Sequence, residues 1–280
     1  MTADQMVILH KIEFKNHRRE WYANPLGLPI AEGDCLITEA DRGEDIGRVI
    51  FPPVNREFKT DSPALPAILR KATPADISRD AENRLRERTA MLFCNQKIRE
   101  LQLEMKLVDV EYRLDRKKIV FFFTAEERID FRELVKILAS EYKTRIEMRQ
   151  ISSREECKKT GGIGPCGEVL CCKRFLDDFE PISTSYVKDQ NLPMNPTKIS
   201  GDCGKLKCCY KYEHETYITL LQQYPPYGTR IIYKEKNGVL EKIDIFQHTA
   251  TLRFENNETE EVALKDFNQV VKITPNNHFK

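Results

Sequence analysis

No apolar run in this 280-residue chain approaches the roughly 20 residues that a membrane-spanning helix requires, so the sequence predicts no transmembrane segment. Residues 1–15 include Asp4, Lys11 and Glu13 and lack an uninterrupted apolar core, which argues against a signal peptide. The formal net charge is only +1, so no overall electrostatic attraction to nucleic acid is expected. These features together predict a cytoplasmic protein.

The sequence motifs of common enzyme classes are also missing. The chain has no Gly-x-x-x-x-Gly-Lys-Ser/Thr phosphate-binding loop, no Rossmann fingerprint and no Gly-x-Ser-x-Gly nucleophile elbow. Paired carboxylates such as Asp177 and Asp178 lie in charged stretches, and we interpret them as solvated rather than catalytic. The sequence therefore predicts a protein that is not an enzyme.

Cysteine, in contrast, is concentrated in one part of the chain. Six of the nine cysteines lie in two copies of the same phrase, in which Cys-Gly is followed by three residues and a Cys pair. The first copy holds Cys166, Cys171 and Cys172, and the second holds Cys203, Cys208 and Cys209. Because cytosolic thiols stay reduced, this pattern favours metal or redox chemistry over structural disulfides.

Three kinds of thiol chemistry are compatible with the two copies. Thiolates are soft ligands that suit zinc or an iron–sulfur cluster, and the four residues between the spaced cysteines favour the larger core, a 4Fe-4S cluster, over a zinc knuckle. The vicinal pairs could instead cycle between thiol and disulfide without any metal. All six cysteines are candidate ligands, and the cluster hypothesis requires the two copies to converge on one centre.

Residues around the copies receive more ordinary interpretations. Cys157, Cys35 and Cys94 are predicted to be packed, and His214 is predicted to lie at the surface. The aromatic residues after the Cys pairs are expected to pack over the site: Phe175, Tyr210 and Tyr212. Basic residues that would lower thiol pKa values or face phosphate are Lys158, Lys159, Lys173, Arg174, Lys198, Lys205, Lys207 and Lys211.

Hydrophobic periodicity predicts an α+β fold. Short strands at 7–14, 34–39 and 45–51 predict a small β-barrel-like module over residues 1–70. A long helix should begin at Thr73 and Pro74 and run to about residue 105, with Ile77, Ala81, Leu85 and Leu92 on its apolar face. This helix, a hairpin at 107–123, a helix at 124–142 and a strand at 145–151 predict an α/β sandwich over residues 71–151.

The remainder of the chain is predicted to form two further modules. Residues 152–226 are a cysteine-rich, loop-rich segment with helical character from 210 to 224. Residues 227–275 contain four short strands separated by turns, a pattern that fits a small antiparallel β-barrel of the SH3 type.

The motif between residues 161 and 213 resembles that of the YaaT/RicT cell-fate regulators of the PSP-one C-terminal domain superfamily. The shared residues lie at 161–167, 171–172, 188–192, 195–201, 203–204 and 208–209. The resemblance extends from about residue 7 to residue 227, whereas the predicted C-terminal barrel and Cys157 are departures from it.

The resemblance implies a non-catalytic regulatory adaptor that binds an iron–sulfur cluster through the six cysteines of the motif. It further implies small helical protein partners and a membrane-associated endoribonuclease, with effects on RNA processing, sporulation and cell fate. The expected location is the cytoplasm, with peripheral association at the inner face of the membrane. A thiol-disulfide redox protein and a zinc-containing module with weak RNA contact are the alternatives.

Overall fold

The computed structural model describes residues 5–41, 43–58, 65–177 and 179–273, and these form an α+β protein. Two compact units divide the chain, Met1–Asp178 and Phe179–Lys280. Each unit contains one copy of the cysteine phrase. The predicted module limits at residues 70, 151 and 226 remain predictions.

The first unit begins with a six-stranded antiparallel sheet. Its strands are β1 (Gln5–Glu13), β2 (Arg19–Ala23), β3 (Cys35–Ala40), β4 (Gly43–Val49), β5 (Val54–Phe58) and β6 (Ile68–Lys71), and the order is β2-β1-β4-β3-β6 with β5 also paired to β1. A short 3-10 helix, Lys15–His17, joins β1 to β2. Gly47 is required in β4, because a Cβ atom there would lie 2.4 Å from a methyl group of Ile12.

The helix predicted at Thr73 and Pro74 is confirmed as α1 (Pro74–Glu100). Thr73 caps it through a capping box, in which its hydroxyl accepts from the Asp76 amide while the Asp76 carboxylate accepts from the Thr73 amide. The predicted apolar face is wrong. Ile77, Ala81, Leu85 and Leu92 are exposed, and the buried face is formed by Asp76, Asn83, Glu87, Ala90, Cys94 and Ile98.

The predicted hairpin, helix and strand come after α1 and form a three-stranded sheet. Strands β7 (Lys106–Tyr112) and β8 (Lys118–Thr124) are antiparallel, and β9 (Arg145–Gln150) lies parallel to β8 after helix α2 (Arg132–Tyr142). Both helices pack on one sheet face, because alternate strand residues such as Ile119 and Phe121 share their core with Cys94 and Leu138. Burial in that core raises the pKa of Cys94 to about 12.

The second unit ends in a five-stranded antiparallel sheet. Its strands are β10 (Arg230–Tyr233), β11 (Lys236–Asp244), β12 (Thr249–Phe254), β13 (Thr259–Ala263) and β14 (Lys272–Ile273), in the order β13-β12-β11-β10-β14. Helix α8 (Leu264–Val270) precedes β14. Among the described residues neither this sheet nor the N-terminal one closes into a barrel, so the two predicted barrels are not confirmed.

The cysteine-rich segment contains five helices, numbered in chain order. They are α3 (Ser153–Thr160), α4 (Cys171–Arg174), α5 (Ser185–Asp189), α6 (Pro196–Ile199) and α7 (Cys209–Leu221). Within the described ranges, no helix has both the length and the apolar composition needed to cross a membrane.

We expect Asp76→Asn to destabilise the first unit by about 1–2 kcal/mol at neutral pH, because it removes the negative charge from the capping box and the ion pair with Arg70. Hydrogen bonds from Arg70 and Thr73 outweigh burial and hold the pKa of Asp76 well below its ordinary value of 3.8. A carboxylate with a lowered folded-state pKa stabilises the fold above its unfolded-state pKa and loses that contribution as the pH falls.

The difference in the free energy of unfolding between the unchanged chain and Asp76→Asn should therefore be largest at neutral pH and should decrease below about pH 4. Urea unfolding at a series of pH values measures it. A difference independent of pH would contradict the assigned role of this carboxylate.

Candidate thiol site

The two cysteine phrases fold into the same small loop. In the first copy an isolated β-bridge joins Ile163 to Val169, and in the second the equivalent bridge joins Ser200 to Leu206. Three backbone hydrogen bonds recur at equivalent positions with N···O distances of 2.8–3.1 Å: Gly164 to Glu168, Gly167 to Gly164 and Leu170 to Gly162, then Gly201 to Lys205, Gly204 to Gly201 and Lys207 to Ile199. The duplication seen in the sequence is therefore a duplication of structure.

A glycine after the first cysteine is what allows each loop to turn. Gly167 has a φ of 83° and Gly204 a φ of 71°, in the left-handed region that residues with a Cβ atom rarely adopt. The invariance of Cys-Gly between the two copies thus has a conformational cause.

The equivalent thiols occupy equivalent positions in the two loops. Cys166 and Cys203 lie at the turns, between the two residues of each bridge. The vicinal pairs lie where helices begin: Cys171 is the first residue of α4, Cys208 caps α7, and Cys209 is the first residue of α7. Cys166 is exposed, Cys172 is buried, and Cys171, Cys203, Cys208 and Cys209 are partly buried.

All nine cysteines are described, and they are thiols rather than disulfides. Among the described residues no group of three or more Cys, His, Asp or Glu side chains is arranged to hold a metal ion. The six cysteines predicted to be ligands therefore stay a prediction.

The other cysteines and the histidine lie in ordinary surroundings. Cys94 is fully buried in the core of the first unit, whereas Cys35 in β3 and Cys157 in α3 are partly buried. A ring nitrogen of His214 lies 2.9 Å from an Asp189 oxygen, and its ring meets that of Tyr186 edge-on with 4.6 Å between centroids. His214 thus contacts α5.

The aromatic cover predicted for the site is not present in full. Tyr212 is 62% exposed and Phe175 is 41% exposed, so neither is packed away from solvent. Tyr210 is partly buried, and burial raises its pKa. Its carbonyl oxygen accepts from the side-chain amide of Gln190 at 2.6 Å, which joins α7 to the end of α5.

Carboxylates within the cysteine-rich segment neutralise several of the predicted basic residues. Lys158 pairs with Asp177, Arg174 with Glu168 and Lys211 with Glu180. Lys207 donates to a backbone oxygen, that of Lys198, at 2.6 Å. The positive field at the thiols is therefore weaker than the local sequence predicts.

Lys159 connects helix α3 to the three-stranded sheet through ion pairs and an aromatic contact. Its ammonium group lies 3.1 Å from Asp109 and 2.7 Å from Glu111, and 3.8 Å from the ring centroid of Phe122. These residues lie on β7 and β8, so α3 is bound to the face of the three-stranded sheet opposite α1 and α2. Burial and the Lys159 charge lower the pKa of Lys173 just after the first Cys pair.

Asp109 also joins the N-terminal sheet to this arrangement. Lys15 of the 3-10 helix lies 2.8 Å from Asp109 and 2.9 Å from Glu87 of α1. Burial alone would raise the pKa of Asp109, but the charges of Lys15 and Lys159 outweigh it and lower the pKa. For Glu87 burial prevails, and its pKa is raised despite the contact with Lys15.

Asp109, Glu111 and Lys15 were not among the residues predicted for the site. A signal was present, since two acids spaced by two residues in a strand point to the same sheet face. Their basic partners were not identifiable, because Lys15 precedes Asp109 by 94 residues and Lys159 comes 50 residues after it.

Two family models match this chain. The model of the PSP1 C-terminal conserved region covers residues 66–151, and the third domain of PSP1-like proteins covers residues 181–224. The first match contains α1 and the three-stranded sheet, and the second contains the second cysteine loop. The fold and the loops thus define a protein with PSP1-type domains.

Within this class the chain belongs to the YaaT family. It is 45% identical over 222 residues to "Stage 0 sporulation protein YaaT" of Bacillus subtilis, which covers 79% of this chain and 80% of that protein. An uncharacterized protein of Schizosaccharomyces pombe is 32% identical over 173 residues, 51% of this chain and 23% of that protein. Protein PSP1 of Saccharomyces cerevisiae is 49% identical over 45 residues, 16% of this chain and 5% of that protein. No solved structure matches the chain.

We expect Asp109→Ala to destabilise the first unit by about 3 kcal/mol, because it leaves two partly buried ammonium groups without their shared carboxylate. The stretch from α3 to the first cysteine loop should then be cleaved faster by protease. Urea unfolding and limited proteolysis with mapping of the cut sites measure the two effects.

Glu156→Ala is the matched control, since it removes an ion pair with Lys106, whose side chain is 74% exposed. It should change stability by less than about 1 kcal/mol. Equal effects of the two variants would show that Asp109 has no special role in holding α3.

Proposed function

We propose that this chain is a non-catalytic regulatory adaptor that holds an iron–sulfur cluster through thiols of its duplicated loops. The observation that carries the proposal is the matching backbone geometry of the two loops, which presents three thiols from equivalent positions in each. Its Bacillus relative is named a stage 0 sporulation protein, which supports a role in sporulation or cell fate.

The donor set fits such a cluster by its chemistry. The candidate ligands are all cysteines: Cys166, Cys171, Cys172, Cys203, Cys208 and Cys209. A cubane takes four thiolates, so six thiols are more than sufficient. When bound, the cluster would supply a centre sensitive to iron and oxygen, and Cys166 and Cys203 would be offered from turns in which the next residue, Gly167 or Gly204, has a positive φ.

The first cysteine loop is connected to the helix that precedes it, α3. Lys159 lies near the end of the helix just before the loop, and Lys173 comes after the Cys pair and donates to the Lys159 carbonyl oxygen at 3.2 Å. Metal binding contributes free energy to the folding of the segment that supplies its ligands. Loss of the cluster would therefore loosen the loop and change the surface next to it.

The partner proteins belong to the same proposal and are those that the resemblance of the cysteine motif implies. They are small helical proteins and a membrane-associated endoribonuclease, through which the adaptor would influence RNA processing. The proposed location is the cytoplasm, with peripheral association at the inner face of the membrane. No catalytic residue is assigned to this chain.

Anaerobic purification should give a coloured protein that contains iron and acid-labile sulfide in a ratio near one. Replacing Cys171 and Cys172 together with serine should remove the colour and the iron, because two of the candidate thiolate ligands are lost. Absorption spectra with iron, sulfide and zinc analysis measure the result.

Cys35→Ser is the matched control, because Cys35 lies in β3 outside both loops, and it should keep the full iron content. Zinc in place of iron would support the zinc alternative. A metal-free, folded protein that turns over disulfide substrates would favour thiol-disulfide exchange, and either result would overturn the cluster proposal.

A further inference from the structure

An apolar row on α1 is turned toward solvent rather than toward the core. Ile77, Leu85 and Leu92 are 50%, 63% and 74% exposed, and Ala81 between them is exposed too. At about 100° of rotation per residue these four lie on one side of the helix, away from the buried face. The row spans about 22 Å at 1.5 Å per residue.

The spacing of this row is that of a helix that packs against another helix. The four residues of the row recur at intervals of four, four and seven residues, which place them along one side of the helix, as in a contact between two helices. An amphipathic helix that docks on such a surface uses anchors with the same intervals. The exposed side of α1 therefore has the spacing of a helix-binding surface.

Arginine distinguishes this row from an ordinary apolar seam. Arg88 and Arg99 lie within the row, and Arg79 and Arg86 are exposed elsewhere on the same helix. In the described part of the chain none of the four forms a salt bridge with a carboxylate, whereas neighbouring Arg84 pairs with Asp80 and Glu87. The row offers both apolar anchors and positive charge.

In a parallel contact, a second copy of this chain would not satisfy that combination. Two identical rows in parallel contact would bring Arg88 against Arg88 and Arg99 against Arg99, and like charges at a contact are unfavourable. An amphipathic helix with Leu-type anchors and flanking Asp or Glu would instead cover the three apolar side chains and pair with the arginines.

We propose that the exposed row Ile77, Ala81, Leu85, Arg88, Leu92 and Arg99 binds an acidic amphipathic helix of a different protein. This inference rests on the proposed adaptor function and identifies the surface that such an adaptor would use. It does not depend on the cysteine loops. The apolar anchors supply the affinity, and the arginines select an acidic partner.

Photo-crosslinking in the native host tests the proposal with the full chain. A photoreactive phenylalanine at position 85 or 92 should form an adduct with another protein, while the same group at Arg86, about 100° around the helix from Leu85, should not. Mass spectrometry of the adduct should map the contact to a helical segment with acidic residues beside its apolar anchors.

A synthetic peptide of the mapped segment should then bind the purified chain. Leu85→Glu should weaken peptide binding about tenfold or more, because an apolar anchor is lost and a carboxylate is placed next to the acidic residues of the peptide. Arg88→Glu should weaken it as well, and Arg86→Glu should change the affinity by less than about threefold, because it lies outside the row.

An adduct with a second copy of the chain, with another segment of the same chain, with RNA or with a basic segment would overturn the proposal, as would the absence of any adduct. Iron content separates this result from the proposed function. Leu85→Glu should keep the full iron content while its affinity for the peptide falls. The double serine variant at Cys171 and Cys172 should lose its iron whether or not its affinity for the peptide changes.

Discussion

The partly buried carboxylate of Asp109 lies between the ammonium groups of Lys15 and Lys159 and joins three parts of the first unit. Lys15 comes from the 3-10 helix beside the N-terminal sheet, Asp109 from the three-stranded sheet, and Lys159 from the helix that leads into the first cysteine loop. Two cations and one partly buried anion are stable together only because other acceptors, Glu87 and Glu111, share the excess positive charge. The position of the loop thus depends on a charge arrangement assembled from distant segments.

The duplicated loops lead into different elements, although their turns are the same. The first Cys pair opens the four-residue helix α4, and Asp177 beyond it is the ion-pair partner of Lys158. The second opens the thirteen-residue α7, whose Tyr217 and Leu221 pack on the core of the five-stranded sheet. The second pair is therefore connected to a sheet through a helix, whereas the first is connected to α3 through the ion pair between Asp177 and Lys158.

Positive charge near a thiol lowers its pKa only where carboxylates do not cancel it. The linear sequence suggests that the thiols have strongly basic surroundings. In the fold, several of the lysines instead form ion pairs with carboxylates, those of Asp109, Glu111, Asp177 and Glu180. On α1 the reverse holds, because Arg88 and Arg99 lie beside exposed apolar residues that were predicted to be core, and neither arginine forms a salt bridge among the described residues. These two sites show how the fold redistributes charge that sequence proximity cannot assign.

Local features were determined by the sequence alone: the capping box at Thr73, the helix, hairpin, helix and strand order, and the repeated turn around Cys-Gly. Each depends on hydrogen bonds between residues a few positions apart, which neighbouring side chains specify. Only the tertiary structure decided which side of α1 is buried and which lysines are neutralised. Apolar residues occur on more than one side of that helix, and an ion pair of the cysteine segment joins Asp177 to Lys11, 166 residues earlier in the chain, so the choice depends on packing between segments that the local pattern does not encode.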